Sequence, residues 1–132
     1  MMRLPQVLST AVSSLERDAA LWATIADIRR LTIFRPPYGE FDEAKVATAA
    51  AAGFNHIVLW DVDPRDWTLP AAAEIVRRTL RDTRSGSIVA LHVVDRTADA
   101  LGPMIEGLRR RALTPVTIPS LFEAATTGST GR

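Results

Sequence analysis

Residues 56–67 read HIVLWDVDPRDW. The run 56–60 has the apolar character of a strand buried on both faces. It passes without a spacer into a loop carrying Asp61, Asp63 and Asp66 around Pro64, residue types that favour turns. Pro70 then fits the first turn of a helix that runs to about Asp82. A buried strand, a polar loop and a helix in that order form half of a βαβ unit.

The same order recurs on both sides. Upstream, 31–34 is a short strand candidate, and 42–52 is an Ala-rich helix that starts at the acidic pair Asp42 and Glu43 and stops at Gly53. Its small residues at 47–52 allow close packing and carry no chemistry. Downstream of Gly86, 87–94 reads as a strand and 97–112 as a helix whose first turn is weakened by Gly102 and Pro103. A last strand at 115–118 and a helical turn at 119–125 follow. Apolar residues at Leu8, Val12, Leu15, Ala19, Trp22 and Ala26 predict a helix over 7–29, and TTGSTGR at 126–132 reads as a disordered tail. Strands alternating with helices predict an α/β fold with a parallel sheet. The polar groups of interest, RPPYG, DVDPRDW and His92, each lie just after a strand, the end at which α/β folds collect their chemistry.

FRPPYGEF at 34–41 is the sharpest turn. Pro36 and Pro37 cannot belong to a helix interior or a central strand. Gly39 supplies a conformation closed to bulky residues. The stretch is a rigid turn that aims Arg35 and Tyr38.

Composition sets the outer limits. The 132 residues are 47% hydrophobic and 23% charged, as for one globular domain, and the net charge of +1 leaves no footprint for nucleic acid. Arg109, Arg110 and Arg111 suit a helix C-terminus. Without cysteine there is neither a disulfide nor a thiolate metal site. The first residues carry Ser, Thr and charges where a signal peptide needs an apolar core, and no apolar run is long enough to span a membrane. The chain therefore reads as soluble, in a compartment the sequence leaves unknown.

RPPYG at 35–39, WDVDPRDW at 60–67 and SIVALH at 87–92 together resemble the last three motifs of the polysaccharide deacetylase family, also called NodB-homology or carbohydrate esterase family four. The resemblance covers roughly residues 5–122, including TPVTIPSLF. It implies that 1–125 form the C-terminal part of a distorted (β/α) barrel of the glycoside hydrolase and deacetylase type. It implies hydrolysis of the amide carbon–nitrogen bond of N-acetyl sugars in chitin- or peptidoglycan-like glycans, with a divalent metal, zinc or cobalt, as cofactor. By the same resemblance Arg35 orients the catalytic base, the Tyr38 N–H holds the oxyanion, and Trp67 walls the acetyl pocket. Asp66 pairs with His92 and favours its imidazolium, the form of a general acid.

The departures from the family pattern are specific. The family's base, and its aspartate and histidine metal ligands, precede the first helix of this chain. His56 and His92, the only histidines, have no ligand spacing, and His56 reads as structural. Ala90 stands where the family has leucine against the acetyl methyl, and Val93 where it is often acidic. The chain thus reads as a deacetylase domain lacking its metal and base motifs and inactive alone. A non-catalytic remnant or interaction module, or one half of a split barrel, remain the alternatives. A parallel sheet left with an unpaired edge is expected to self-associate.

Overall fold

The computed structural model describes residues 17 and 32–128 of the chain; the helix expected over 7–29 falls outside them apart from Arg17. The chain divides into two compact units, Met1–Leu59 and Trp60–Arg132. Each is described by itself.

In the first unit, β1 (Ile33–Phe34) and β2 (His56–Ile57) pair in parallel, joined by the helix α1 (Glu43–Ala51). This is the expected βαβ order. The Asp42 side chain starts α1 by accepting from Lys45 N at 2.8 Å. Gly53, at φ +88°, ends it: Gly53 N donates to Ala50 O and Phe54 N to Ala49 O, a Schellman turn. The turn delivers buried Phe54 to Phe34, ring centroids 5.9 Å apart.

The expected strand 56–60 is shorter than its apolar run. Val58 N still donates to Phe34 O at 2.9 Å, but Arg35 then takes the Val58 and Leu59 carbonyls through Nε and Nη2, at 3.3 and 3.4 Å. A side chain replaces the strand partner there, so ladder pairing stops at Ile57.

In the second unit, α2 (Ala72–Asp82) and α3 (Asp95–Arg110) pack along Ile75, Ala100, Met104 and Leu108, all buried, with Leu80, Leu91 and Leu113 beside them. Positions 100, 104 and 108 form one stripe at helical spacing. Helix α3 starts two residues before its expected position, and Pro103 lies within it on the exposed side rather than in a weak first turn. Gly107 brings the helices together, since a Cβ there would lie 2.5 Å from Leu80 Cδ1.

Two strand expectations are corrected. Of 87–94 only Val89 makes a bridge, parallel to Val62, because side chains bond the amides that a neighbouring strand would otherwise take. The stretch 115–118 is no strand: Thr117 caps α4 (Ile118–Gly128), its Oγ1 accepting from Ser120 N at 3.4 Å, and the helix takes in Ile118. Helix α4 also includes Thr126 and Thr127, within the segment read as a tail. Among the described residues no helix is long and apolar enough to cross a membrane.

Helix α3 ends in a Schellman turn like that of α1, Leu113 N donating to Leu108 O, but the residue at positive φ is Ala112, at +56°. Alanine costs about 1 kcal/mol in that conformation. Ala112→Gly is therefore expected to raise the urea midpoint of unfolding with an unchanged slope, by up to about 1 kcal/mol. A lowered midpoint would contradict the strain assigned to Ala112.

Candidate active site

Asp66 opens a 3-10 turn, Asp66–Thr68, and its side chain is 0% exposed. Burial alone pushes a carboxyl toward its neutral form, yet here the donors outweigh that penalty. His92 N donates to Oδ2 at 2.7 Å, Thr97 Oγ1 donates to Oδ2 at 2.6 Å, and His92 Nδ1 lies 2.8 Å from Oδ1. The net effect holds Asp66 below the usual carboxylate range. A carboxylate only accepts, so Nδ1 carries the hydrogen and Nε2 is the nitrogen left for other chemistry. The His92 side chain is 52% exposed while its partner is wholly buried.

The backbone around this pair is held by a second aspartate. Asp61 Oδ1 accepts from Ile88 N at 2.7 Å and Oδ2 from Ser87 Oγ at 3.0 Å. The Ile88 amide, then desolvation working the other way, then Ser87 leave Asp61 lowered as well. Ala90 N donates to Val62 O at 3.0 Å. The amides of residues 88, 90 and 92 share one edge of an extended chain. They are taken in turn by the Asp61 side chain, the Val62 carbonyl and the Asp66 side chain. That sequence of bonds sets His92 against Asp66.

Each predicted site residue has a definite setting. In the first unit, Arg35 bonds the Val58 and Leu59 carbonyls, and Tyr38 is 93% exposed. The sequence assigned the unusual backbone of the turn to Gly39; Tyr38 itself sits at φ +59°, as well as Gly39 at +72°. Tyr38 N donates to no acceptor among the described residues. In the second unit, Trp67 is exposed and outside the core cluster, and Ala90 is buried. Asp63 makes a local turn, accepting from Arg65 N at 2.8 Å. His56 is exposed at the start of β2.

Sequence reading missed two contributions. Thr97 was read only as the start of a helix, although a hydroxyl in the first turn after His92 is the type of group that reaches back to a preceding loop. Asp61 reads from the sequence as a turn-favouring loop residue, whereas it clamps the next extended segment. A charged groove of about 560 Å³ on α2 includes Asp61 in its lining, and several of its charges pair with one another. Arg77 and Arg78 both bond Glu74, lowering its carboxyl to about 2, and Arg81 bonds Asp82.

Asn in place of Asp66 keeps one oxygen for the Thr97 hydroxyl and the His92 amide, but it sets an NH2 donor against His92 Nδ1 and removes the charge that strengthens all three bonds. Asp66→Asn is expected to cost on the order of 3 kcal/mol near neutral pH. Because the folded pKa is lowered, this contribution is fully present above the ordinary aspartate value of 3.8 and is lost as pH falls through the lowered folded value. Urea midpoints of the two proteins should therefore stay apart from about pH 7 to about pH 5 and converge in stronger acid. A gap that widens on acidification would overturn the assignment of an ionised Asp66.

No family model matches the chain. It is 32% identical over 100 residues to a peptidoglycan-N-acetylglucosamine deacetylase of Bacillus cereus, an alignment covering 72% of this chain and 47% of the relative. It is 36% identical over 102 residues to a chitooligosaccharide deacetylase of Bradyrhizobium sp., covering 66% and 46%. The solved structure of peptidoglycan deacetylase PdaC from Bacillus subtilis superposes with a TM-score of 0.81 at 25% identity, over 92% of this chain and 58% of that one. The chain spans about half the length of the curated relatives it matches. With the motifs in family order, deacetylases as relatives and a deacetylase as a structural neighbour, the chain belongs to the polysaccharide deacetylase family, the NodB-homology group or carbohydrate esterase family four.

Proposed function

We propose that the chain supplies the proton-donating side of an N-acetyl sugar deacetylase acting on chitin- or peptidoglycan-like glycans. The observation that carries this reading is the half-exposed His92 whose Nδ1 is held by a wholly buried aspartate. Fixing Nδ1–H on Asp66 leaves Nε2, protonated in the imidazolium form, to give its proton to the sugar nitrogen once water has added to the carbonyl, so that the carbon–nitrogen bond breaks to release an amine and acetate. The relatives' names, peptidoglycan-N-acetylglucosamine deacetylase and chitooligosaccharide deacetylase, supply the substrate class.

The other residues take supporting roles in the same reading. The strained Tyr38 backbone keeps its N–H off local acceptors, which suits a donor to the oxyanion of the tetrahedral intermediate. Arg35, braced on two backbone carbonyls, suits a residue that orients the base. Exposed Trp67 offers an apolar wall, and Ala90 in place of a leucine leaves a wider acetyl pocket. The βαβ order of the first unit is the kind of element from which a distorted (β/α) barrel is built.

A divalent metal is expected of the family, but the residues here do not fit one: among the described residues no three His, Asp or Glu side chains converge. No catalytic step is therefore derived through a metal, and the activation of water is assigned to residues outside this set.

Complementation tests the proposal. The chain is mixed with the preceding part of a family deacetylase, such as PdaC, and acetate release from acetylated chito-oligosaccharides is measured. The expected result is release by the mixture, reduced about a hundredfold or more by His92→Ala, the usual worth of a positioned general acid. Release that His92→Ala leaves unchanged would contradict the role of His92. An assembled complex that releases no acetate would favour the non-catalytic reading.

A further inference from the structure

Asp66 Oδ2 is bonded by groups other than the imidazole ring. The His92 amide reaches it at 2.7 Å and the Thr97 hydroxyl at 2.6 Å, while Oδ1 faces His92 Nδ1. Thr97 is 4% exposed and sits in the first turn of α3, its own N–H bonded to Val94 O at 3.0 Å. The hydroxyl is thus delivered from a rigid helix that also contributes Ala100, Met104 and Leu108 to the core. Such a donor fixes more than charge. A carboxylate rotates about its Cβ–Cγ bond, and two donors converging on one oxygen leave one rotational setting in which the other oxygen meets Nδ1.

We propose that Thr97 is a positioning residue for His92: through Asp66 it keeps Oδ1 directed at Nδ1 and so holds the ring in its Nδ1–H tautomer. The inference rests on the reading of His92 as proton donor, and deepens it by naming what sets the orientation of the donating nitrogen. Without the hydroxyl, Oδ2 retains only the His92 amide. The carboxylate can then turn, and the half-exposed ring can exchange its Nδ1–H for the Nε2–H form, in which the Nδ1–H bond to Asp66 is gone and Nε2 no longer presents in a fixed direction the lone pair that takes up the proton to be donated. The methyl of Thr97 plays no part in this. Serine should therefore replace threonine, and valine, of nearly the same shape, should not.

Long-range proton–nitrogen spectra of the neutral His92 ring read the tautomer directly in the chain as it stands. The wild type and Thr97→Ser are expected to show mainly Nδ1–H. In Thr97→Val the ratio of Nδ1–H to Nε2–H is expected to fall about tenfold, the weight of a charge-assisted hydrogen bond. A wild-type ratio in folded Thr97→Val overturns the positioning role and leaves the assignment of His92 intact. A wild-type ratio in Asp66→Asn as well would instead remove the pair, and with it the reading of His92 as proton donor. If Thr97→Val does not fold, the wild type decides the matter. The Thr97 hydroxyl proton should be visible in slow exchange, with a cross-relaxation contact to the His92 amide proton on the same oxygen; a freely exchanging hydroxyl overturns the proposal.

Discussion

The buried Asp66 carboxylate is the constraint on which the second unit depends. A lone carboxylate taken out of water costs several kcal/mol, and only converging donors offset that cost. Here the donors come from one end of an extended segment, through His92, and from the first turn of a helix, through Thr97. One side chain therefore ties together the loop that carries it, the segment that follows α2, and the start of α3. The helix pair buries its apolar stripe of Ala100, Met104 and Leu108 with its first turn already fixed in place.

In the proposed reading the same bonds serve chemistry and stability at once. Asp61 and Asp66 take the amides of residues 88 and 92 on either side of a single backbone bond to Val62. Acceptors on side chains rather than on a neighbouring strand allow the segment to end in a half-exposed histidine. A regular ladder would have continued past it. In a polysaccharide deacetylase this arrangement gives a histidine with one nitrogen fixed and the other available. It also means that substitutions at Asp66 confound activity with folding, whereas comparing Thr97→Ser with Thr97→Val isolates the part played by the hydroxyl.

Much of this was legible in the residues, and the failures have physical causes. The stop of α1 at Gly53 followed from the demand for a residue at positive φ, and the order of strand, polar loop and helix from the change in apolar periodicity. Strand lengths were overestimated because apolar composition does not reveal that Arg35, Asp61 and Asp66 take the backbone groups of their neighbours. The apolar stretch at 115–118 misled because Thr117 is a strong helix cap as well as a good strand residue. Tyr38 at positive φ was invisible to a reading that gave all such freedom to glycine. The Asp66–His92 pairing came from motif resemblance; the part of Thr97 could come only from the fold, which brings together residues 31 positions apart.

The most direct test is a carbon-13 titration of the Asp66 carboxyl in the intact chain. A carboxylate held by the His92 amide, the Thr97 hydroxyl and the His92 ring should stay ionised below the ordinary aspartate value of 3.8, and its protonation should coincide with loss of the folded signals. A carboxyl that titrates at or above that value while the fold persists would contradict the account, since burial would then outweigh the three donors on which the site is built.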